Sequence, residues 1–128
     1  MELERLMDYE KTMEVENFRR EIKTKLKSVR EKLNYSYTEL GRYLGKIWDS
    51  DPVYAAHWIN DLDHGNLISR LNKGKKTDIE INKRKMADYL SAIGASKIFI
   101  EEISIDIAKL YPGFELPKSE IKAYEKNK

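Results

Sequence analysis

Two helix-start signals stand close together near the middle of the chain and restrict its fold more than any other feature. Ser36, with Glu39 three residues later, is a capping box: the Ser oxygen accepts from a free backbone N–H and the Glu side chain reaches back. The run 49–52 is a second start, since Asp or Ser suits the N-cap and Pro52 suits the first helical turn. The spacing predicts two short, consecutive helices that pack at a steep angle, as in a helix-turn-helix.

The inner faces of these two helices follow from their apolar residues. Leu40 and Leu44 lie one turn apart in the first helix, and Gly41 beside them leaves room for another helix to cross closely. The second helix is predicted over 52–63, with Gly65 as its stop. Its inner residues are Ala55, Ile59 and Leu62.

Three further helices are predicted around this pair. A long helix precedes it and stops at Asn34, with an inner face of Phe18, Ile22, Leu26, Val29 and Leu33. Another follows, capped by Asp78 and stopped by Gly94, with an inner face of Met86, Leu90 and Ile93. The segment 97–111, capped by Ser96, is ambiguous because its isoleucines also alternate as in a strand; we favour a helix.

The predicted fold class is therefore all-α, a compact five-helix domain built around a helix-turn-helix. Residues 18–111 form this domain, and 128 residues suit one domain with a modest core. Residues 1–17 are an acidic arm or an extension of the first helix. Residues 112–128 follow Pro112 and Gly113 as a charged tail, partly helical or disordered.

Composition limits the classes of protein that this chain can belong to. Its apolar fraction of 41% and charged fraction of 36% are typical of a soluble globular protein, and no apolar run is long enough to span a membrane. The absence of cysteine excludes disulfides and thiolate metal sites, so we expect a cytoplasmic protein. The absence of glutamine, with abundant Lys, Glu and Ile, resembles thermophile proteins.

Charge is segregated along the chain although the net charge is only +2. Residues 1–16 carry six acids and two bases, whereas 17–32 carry seven bases and two acids. Residues 49–66 carry four aspartates and no Lys or Arg, whereas 67–85 again carry seven bases and two acids. Basic blocks of this kind can displace counterions from a phosphate backbone, and they also occur on ordinary solvated helices.

The order and spacing of these segments resemble the XRE, or Cro/repressor-like, helix-turn-helix family over roughly residues 18–95. Residues 29–33 are similar to the end of the family's first helix, and 35–41 to its capped second helix with a small residue. Residues 59–65 resemble the close of its third helix, and 83–94 a following helix. The resemblance implies a homodimeric protein that binds double-stranded DNA sequence-specifically, as a transcription regulator or mobile-element repressor.

The chain departs from the family in the length between its second and third helices. The span from Gly45 to Ile59 is several residues longer than the family's tight turn allows. Either the second helix continues to Trp48, or the third starts early, or the turn is lengthened by an insertion.

The resemblance also implies site residues, because the family reads base edges with the exposed face of its third helix. The candidates for base reading are Tyr54, His57, Asn60, Asp61 and His64, with Trp58 on the same helix. An Asn amide can pair with both major-groove atoms of adenine. This helix lacks Lys and Arg, so phosphate contacts would come from its neighbours. Those candidates are Arg42, Lys46, Arg70, Lys73, Lys75 and Lys76.

Other chemistry finds less support in the sequence. His57, Asp61 and His64 would share one helix face and could bind zinc, but no further ligand is evident and Gly65 breaks the face, so we predict no metal and no cofactor. No nucleotide-binding, nucleophile-elbow or metalloprotease motif occurs, and we predict that the protein is not an enzyme.

A protein-protein interaction module is the alternative to DNA binding. The apolar residues of 97–111 exceed what one buried helix face needs, and such an excess often marks an interface. The acidic arm is a second surface that such a module could present. RNA stays an alternative partner for the basic surface.

Overall fold

The computed structural model describes residues 2–33, 35–63 and 75–125, and it describes side chains over 16–31, 35–63, 75–109 and 111–125. All regular structure in these residues is helical, which confirms the all-α prediction. The five helices are α1 (Glu2–Leu33), α2 (Tyr37–Ile47), α3 (Pro52–Asp63), α4 (Lys76–Ala92) and α5 (Lys97–Leu110). The ambiguous segment 97–111 is thus helical, and the arm before residue 18 continues α1.

Local side-chain caps explain where three of these helices begin. Ser36 Oγ accepts from the backbone N–H of Glu39 at 3.1 Å, and Ser96 Oγ accepts from Phe99 in the same way at 3.1 Å. Asp51 Oδ1 accepts from the backbone N–H of Val53 at 2.8 Å. Each cap satisfies donors that the first helical turn leaves without a partner.

The predicted cap of α4 is wrong. This helix begins at Lys76, so Asp78 lies inside its first turn instead of preceding it. Its N-cap is Lys75, whose side chain makes no capping hydrogen bond. The carboxylate of Asp78 still suits the first turn, where a negative charge complements the helix dipole. The predicted stop at Gly94 fits the structure, since Gly94 has a φ of 74° and its N–H donates to Ser91 O at 3.0 Å.

The core lies where the apolar stripes of the five helices meet. The predicted inner residues are buried wherever the side chain is described, except that Val29 is only partly buried. Sixteen side chains form one cluster with contributions from every helix: Phe18, Ile22, Leu26, Leu40, Leu44, Trp58, Ile59, Leu62, Met86, Tyr89, Leu90, Ala92, Ile93, Ile103, Ile107 and Phe114. Burial of this apolar surface is the main favourable contribution to folding.

The connection between α2 and α3 is four residues long, 48–51. The lengthened turn that the sequence suggested is therefore absent: α2 continues through Gly45 to Ile47, and the extra residues lie in the helices. The backbone N–H of Ser50 donates to Gly45 O at 2.8 Å across the helix end, and Asp49 between them has a φ of 52°. This is the Schellman arrangement, with Asp in the left-handed position that glycine usually occupies.

Two glycines of α2 allow α3 to approach closely. A Cβ atom on Gly41 would lie 2.7 Å from Pro52 O and 2.9 Å from the backbone N of Ala56. A Cβ on Gly45 would lie 3.0 Å from Ser50 O. The predicted close crossing at Gly41 is confirmed, and it sets the position of α3 against α2.

A buried polar cluster joins four helices behind this pair. Asp63 at the end of α3 accepts from the hydroxyls of Tyr37 and Tyr89, each at 2.8 Å. Arg30 of α1 forms an ion pair with the same carboxylate, whose side chain is only 1% exposed. Arg30 also lies over the Tyr37 ring, 5.1 Å from its centroid. The carboxylate therefore has donors from α1, α2 and α4.

The chain after α5 packs back onto the helices. Phe114 is buried in the core, and the segment 114–125 has no regular secondary structure. The backbone N–H of Tyr124 donates to Ala92 O at 2.8 Å, and the hydroxyl of Tyr43 donates to Lys122 O at 2.6 Å. Up to residue 125 the predicted tail is thus an ordered part of the domain.

Candidate nucleic-acid interface

The outer face of α3 is the surface that the sequence assigned to base reading. Tyr54 is 58% exposed and Val53 before it is 64% exposed, and His57 lies one turn further on with its side chain exposed. Asn60 and Asp61 follow on the same face and are half-buried. The structure therefore brings four of the five predicted base-reading residues onto one helix face, while His64 lies outside the described residues.

Trp58 does not belong to this face. It is only 6% exposed, and its indole Nε1 donates to Asn82 Oδ1 of α4 at 3.4 Å. Packing against α4 leaves this ring no access to a base edge, so Trp58 is a core residue.

On one side, the exposed face of α3 is bordered by α2. Arg42 and Lys46 lie one turn apart on α2, both with exposed side chains. A shallow groove of about 430 Å³ runs between the two helices. Its lining residues are Tyr37, Thr38, Arg42, Pro52, Val53, Ala56, His57 and Asn60. Arg42 is thus adjacent to the predicted reading face, as a phosphate contact requires.

On the other side, the face is bordered by α4. Nζ of Lys85 lies 5.2 Å from the ring centroid of Tyr54, on the outer face of α3. Sequence reasoning did not single out Lys85, because its proximity to α3 depends on which side of α4 packs against that helix. The only signal in the sequence was its place at the end of the basic block 67–85.

The structure describes two of the four remaining predicted phosphate contacts. Lys75 and Lys76 stand exposed at the start of α4. Arg70 and Lys73 lie outside the described residues. α3 itself has no Lys or Arg, so every cation of the described interface comes from α2 or α4.

Acidic side chains also occur near this surface. Asp49 and Asp51 in the turn are exposed, and Asp61 lies on the face itself. The carboxylate of Asp51 accepts two backbone N–H groups, those of Val53 and Tyr54, and so serves the helix end. The interface therefore combines a neutral and weakly acidic centre with cations along both edges.

The structure describes two of the three residues that the sequence offered as zinc ligands, His57 and Asp61. Among the residues with described side chains, no three His, Asp or Glu groups converge as metal ligands. The third member of the His57–Asp61–His64 set lies outside the described residues.

Within the described chain, no helix is both long enough and apolar enough to cross a bilayer.

Comparison with known proteins adds no relative: no protein-family model, curated protein or solved structure matches this chain.

Proposed function

We propose that this protein binds double-stranded DNA through the outer face of α3. The main support for this proposal is the outer surface of α3, which is exposed and bears hydrogen-bonding side chains. α3 packs closely against α2, and cations from α2 and α4 lie on either side of it. A major groove about 12 Å wide admits one helix. Cations along both edges of that helix match the two phosphate backbones that border the groove.

The roles of the residues follow from their chemistry. Asn60 and His57 offer hydrogen-bonding groups to base edges, and Asp61 can accept from a cytosine amino group. Arg42 and Lys46 neutralise phosphates, which supplies affinity without sequence preference. We further propose that the protein acts as a homodimeric transcription regulator or mobile-element repressor, since two such helices about one helical turn apart would read a palindromic site.

The first test is the salt dependence of DNA binding. We expect affinity for a fluorescent duplex to fall steeply between 50 and 200 mM salt, with a log–log slope that shrinks by about 0.9 for each phosphate contact removed. Arg42→Gln and Lys46→Gln should each reduce the slope. Lys97→Gln, an exposed lysine at the start of α5, is the matched control and should leave it unchanged. Absence of duplex binding by the wild-type chain at low salt would refute the proposal.

The second test separates base reading from phosphate contact. A duplex sequence is first selected from a random pool by the wild-type protein. Asn60→Ala should then weaken binding to the selected duplex more than binding to random duplex, because an amide–adenine pair contributes only at the correct base. Equal loss on both duplexes would exclude a base-reading role for Asn60.

A protein-protein interaction module is the second candidate function, and exposed residues of α5 favour it. Ile98 is 70% exposed and Ile105 is 60% exposed, seven residues apart and therefore on one face of the helix. Sedimentation of the wild type and of the Ile98→Ser/Ile105→Ser variant tests whether this face joins two copies. A protein purified at low salt without nucleic acid, with no affinity for duplex, would favour this second candidate.

A further inference from the structure

Three aromatic rings surround the ammonium group of Lys85. Its Nζ lies 5.4 Å from the ring centroid of Trp48, 5.2 Å from that of Tyr54 and 5.9 Å from that of Trp58. All three distances are within the range of cation–π attraction. The Trp48 ring comes from the turn that follows α2 and the other two rings come from α3, whereas the lysine comes from α4. We call these four side chains the Lys85 cage.

Hydrogen bonds donated to α4 side chains hold the two indoles of the cage. Trp48 Nε1 donates to Asp88 Oδ2 at 2.8 Å, three residues after Lys85, and Trp58 Nε1 donates to Asn82 Oδ1 at 3.4 Å, three residues before it. The two indoles meet edge to face, with centroids 5.5 Å apart. The position of the ammonium group is therefore determined by packed side chains and not by a freely rotating lysine stem.

Lys85 has no anionic partner in the part of the chain whose side chains are described. Among the residues with described side chains, no carboxylate lies within ion-pair distance of its Nζ, whereas Lys25 and Lys83 pair with Asp106 and Glu80. Burial among the three rings removes water from the ammonium group and so lowers the pKa of Lys85.

The nearest acidic side chain along α4 is already engaged. Asp88 accepts from Trp48 through Oδ2 and from the hydroxyl of Ser119 through Oδ1, at 2.8 Å each. A cation that is partly dehydrated and has no counter-ion among the described side chains is suited to bind an external anion.

We propose that Lys85 and the Tyr54 hydroxyl together form a phosphodiester-binding site at the α4 edge of the α3 face. This inference rests on the proposed function and deepens it. Tyr54 then contacts the DNA backbone instead of a base, because its ring is held beside Lys85 while its side chain stays 58% exposed. A phosphate offers several acceptor oxygens, so it can accept from both the ammonium group and the phenol.

The cage explains why a lysine suits this position. A free lysine loses much rotamer freedom when it binds a phosphate, whereas the rings already restrict Lys85. The site is therefore preorganised, and it supplies the positive charge that α3 lacks.

The DNA experiment compares variants by the salt slope of duplex binding. Lys85→Met keeps an unbranched apolar stem but removes the charge, so the log–log slope should fall by about 0.9 and affinity should drop equally on selected and random duplex. Lys85→Arg should keep the slope. Tyr54→Phe removes only the hydroxyl, and we expect a loss of a few fold on both duplexes. Lys97→Met is the charge-matched control and should behave as the wild type.

A second measurement examines the site without DNA. The chain has two tryptophans, and both belong to the cage, so intrinsic fluorescence reports on it directly. Titration with inorganic phosphate, against sodium chloride at equal ionic strength, should change the emission of the wild type and of Lys97→Met. Lys85→Met should respond no differently to the two salts.

The outcomes separate this inference from the proposed function. If the wild type binds duplex and Lys85→Met keeps both affinity and slope, the phosphodiester site is overturned and DNA binding stands. If the wild type does not bind duplex but phosphate changes its emission only when Lys85 is present, the anion site stands and the DNA proposal fails. If neither duplex nor phosphate is bound, both fail. A sequence-selective loss in Tyr54→Phe would return Tyr54 to base reading.

Discussion

Asp63 shows how a single side chain organises this fold. Its carboxylate is almost fully buried, and it receives two tyrosine hydroxyls together with the charge of Arg30. A buried carboxylate is tolerated only when donors replace the hydrogen bonds that water would provide. Because those donors come from α1, α2 and α4, Asp63 aligns three helices on the end of α3.

Replacement of Asp63 by Asn should therefore be severely destabilising. The variant leaves the half-buried guanidinium of Arg30 without an anion, and breaking a buried pair in this way costs about 3–5 kcal/mol. The measurement is the free energy of unfolding in urea. Asp61→Asn, two residues earlier on the outer face of α3, is the matched control and should change stability by less than about 0.5 kcal/mol. Similar small effects in both variants would show that the cluster contributes little.

The same cluster predicts a loss of stability at high pH. Burial, with the hydrogen bond to Asp63, raises the pKa of Tyr37 to about 12, and the pKa of Tyr89 is raised by the same causes. An unfolded tyrosine ionises near pH 10, so the unfolded state alone becomes charged between about pH 10 and 12. The stabilisation is thus complete below pH 10 and is lost as the pH rises through the pKa of the folded state.

The check is urea unfolding of the wild type and of Tyr37→Phe between pH 9 and 12. We expect the free energy of unfolding to fall less across this window in the variant than in the wild type. Equal pH dependence in the two proteins would mean that Tyr37 does not contribute to it.

Single residues also show which features could be predicted from the sequence. The caps at Ser36 and Ser96 act on a backbone N–H three residues away, so local sequence was enough to find them. The cap proposed for Asp78 has the same local pattern, yet α4 begins two residues earlier, at Lys76. For Lys85 the only signal was its place in the basic block 67–85, because its cage is assembled from α3, α4 and the turn that follows α2.

At the scale of secondary-structure elements, α2 and α3 form a unit whose geometry depends on a short contact between backbones. The turn 48–51 joins them, and Gly41 and Gly45 allow Pro52 to lie directly against α2. α3 begins at Pro52 as predicted and is helical to Asp63, whereas the predicted stop at Gly65 lies outside the described residues. The turn length could not be predicted because Asp49, not glycine, ends α2 in a left-handed conformation.

Gly41→Ala should separate the two helices. Its new Cβ would lie 2.7 Å from Pro52 O and 2.8 Å from the Ala56 Cβ, and backbone atoms cannot move aside as a flexible side chain can. Such overpacking costs about 1–3 kcal/mol, against a gain in helix propensity of up to about 1 kcal/mol. We expect a net decrease in melting temperature together with weaker duplex binding.

Gly45→Ala is the control for that substitution. Its nearest contact is 3.0 Å, so the neighbours need to move less and the loss should be smaller. If Gly41→Ala were as stable as the wild type, the close approach of α2 and α3 would not be a constraint on the fold.

At the scale of the whole molecule, the domain combines the helices with the non-helical segment 114–125, which packs against them. Hydrogen bonds to the rest of the domain fix the path of the segment 114–125. In one of them the hydroxyl of Tyr35 donates to Tyr124 O at 2.5 Å. The residues that make such contacts do not recur at regular intervals in the sequence. For this reason the sequence predicted 112–128 to be a tail. The helical part was predictable because its apolar residues recur every three or four positions.

Tyr124 makes several of the contacts that hold this segment against the helices. Its ring lies 4.9 Å from the Tyr35 centroid and 5.3 Å from that of Tyr43, and its backbone N–H donates to Ala92 O. Aromatic pairs contribute about 0.5–1.5 kcal/mol each beyond the area that they bury. Tyr124→Ala should therefore lower the free energy of unfolding by about 2–3 kcal/mol, measured by urea unfolding.

Lys122→Ala tests whether that loss is specific. The Lys122 side chain is exposed, and the carbonyl that accepts from Tyr43 remains in the variant, so stability should change by less than about 0.5 kcal/mol. Because Tyr35 immediately precedes α2 and Tyr43 lies within it, a released segment should also loosen that helix. Tyr124→Ala is then expected to weaken duplex binding although Tyr124 belongs to no predicted contact. A Tyr124→Ala protein as stable as Lys122→Ala would mean that residues 114–125 cover the domain without stabilising it.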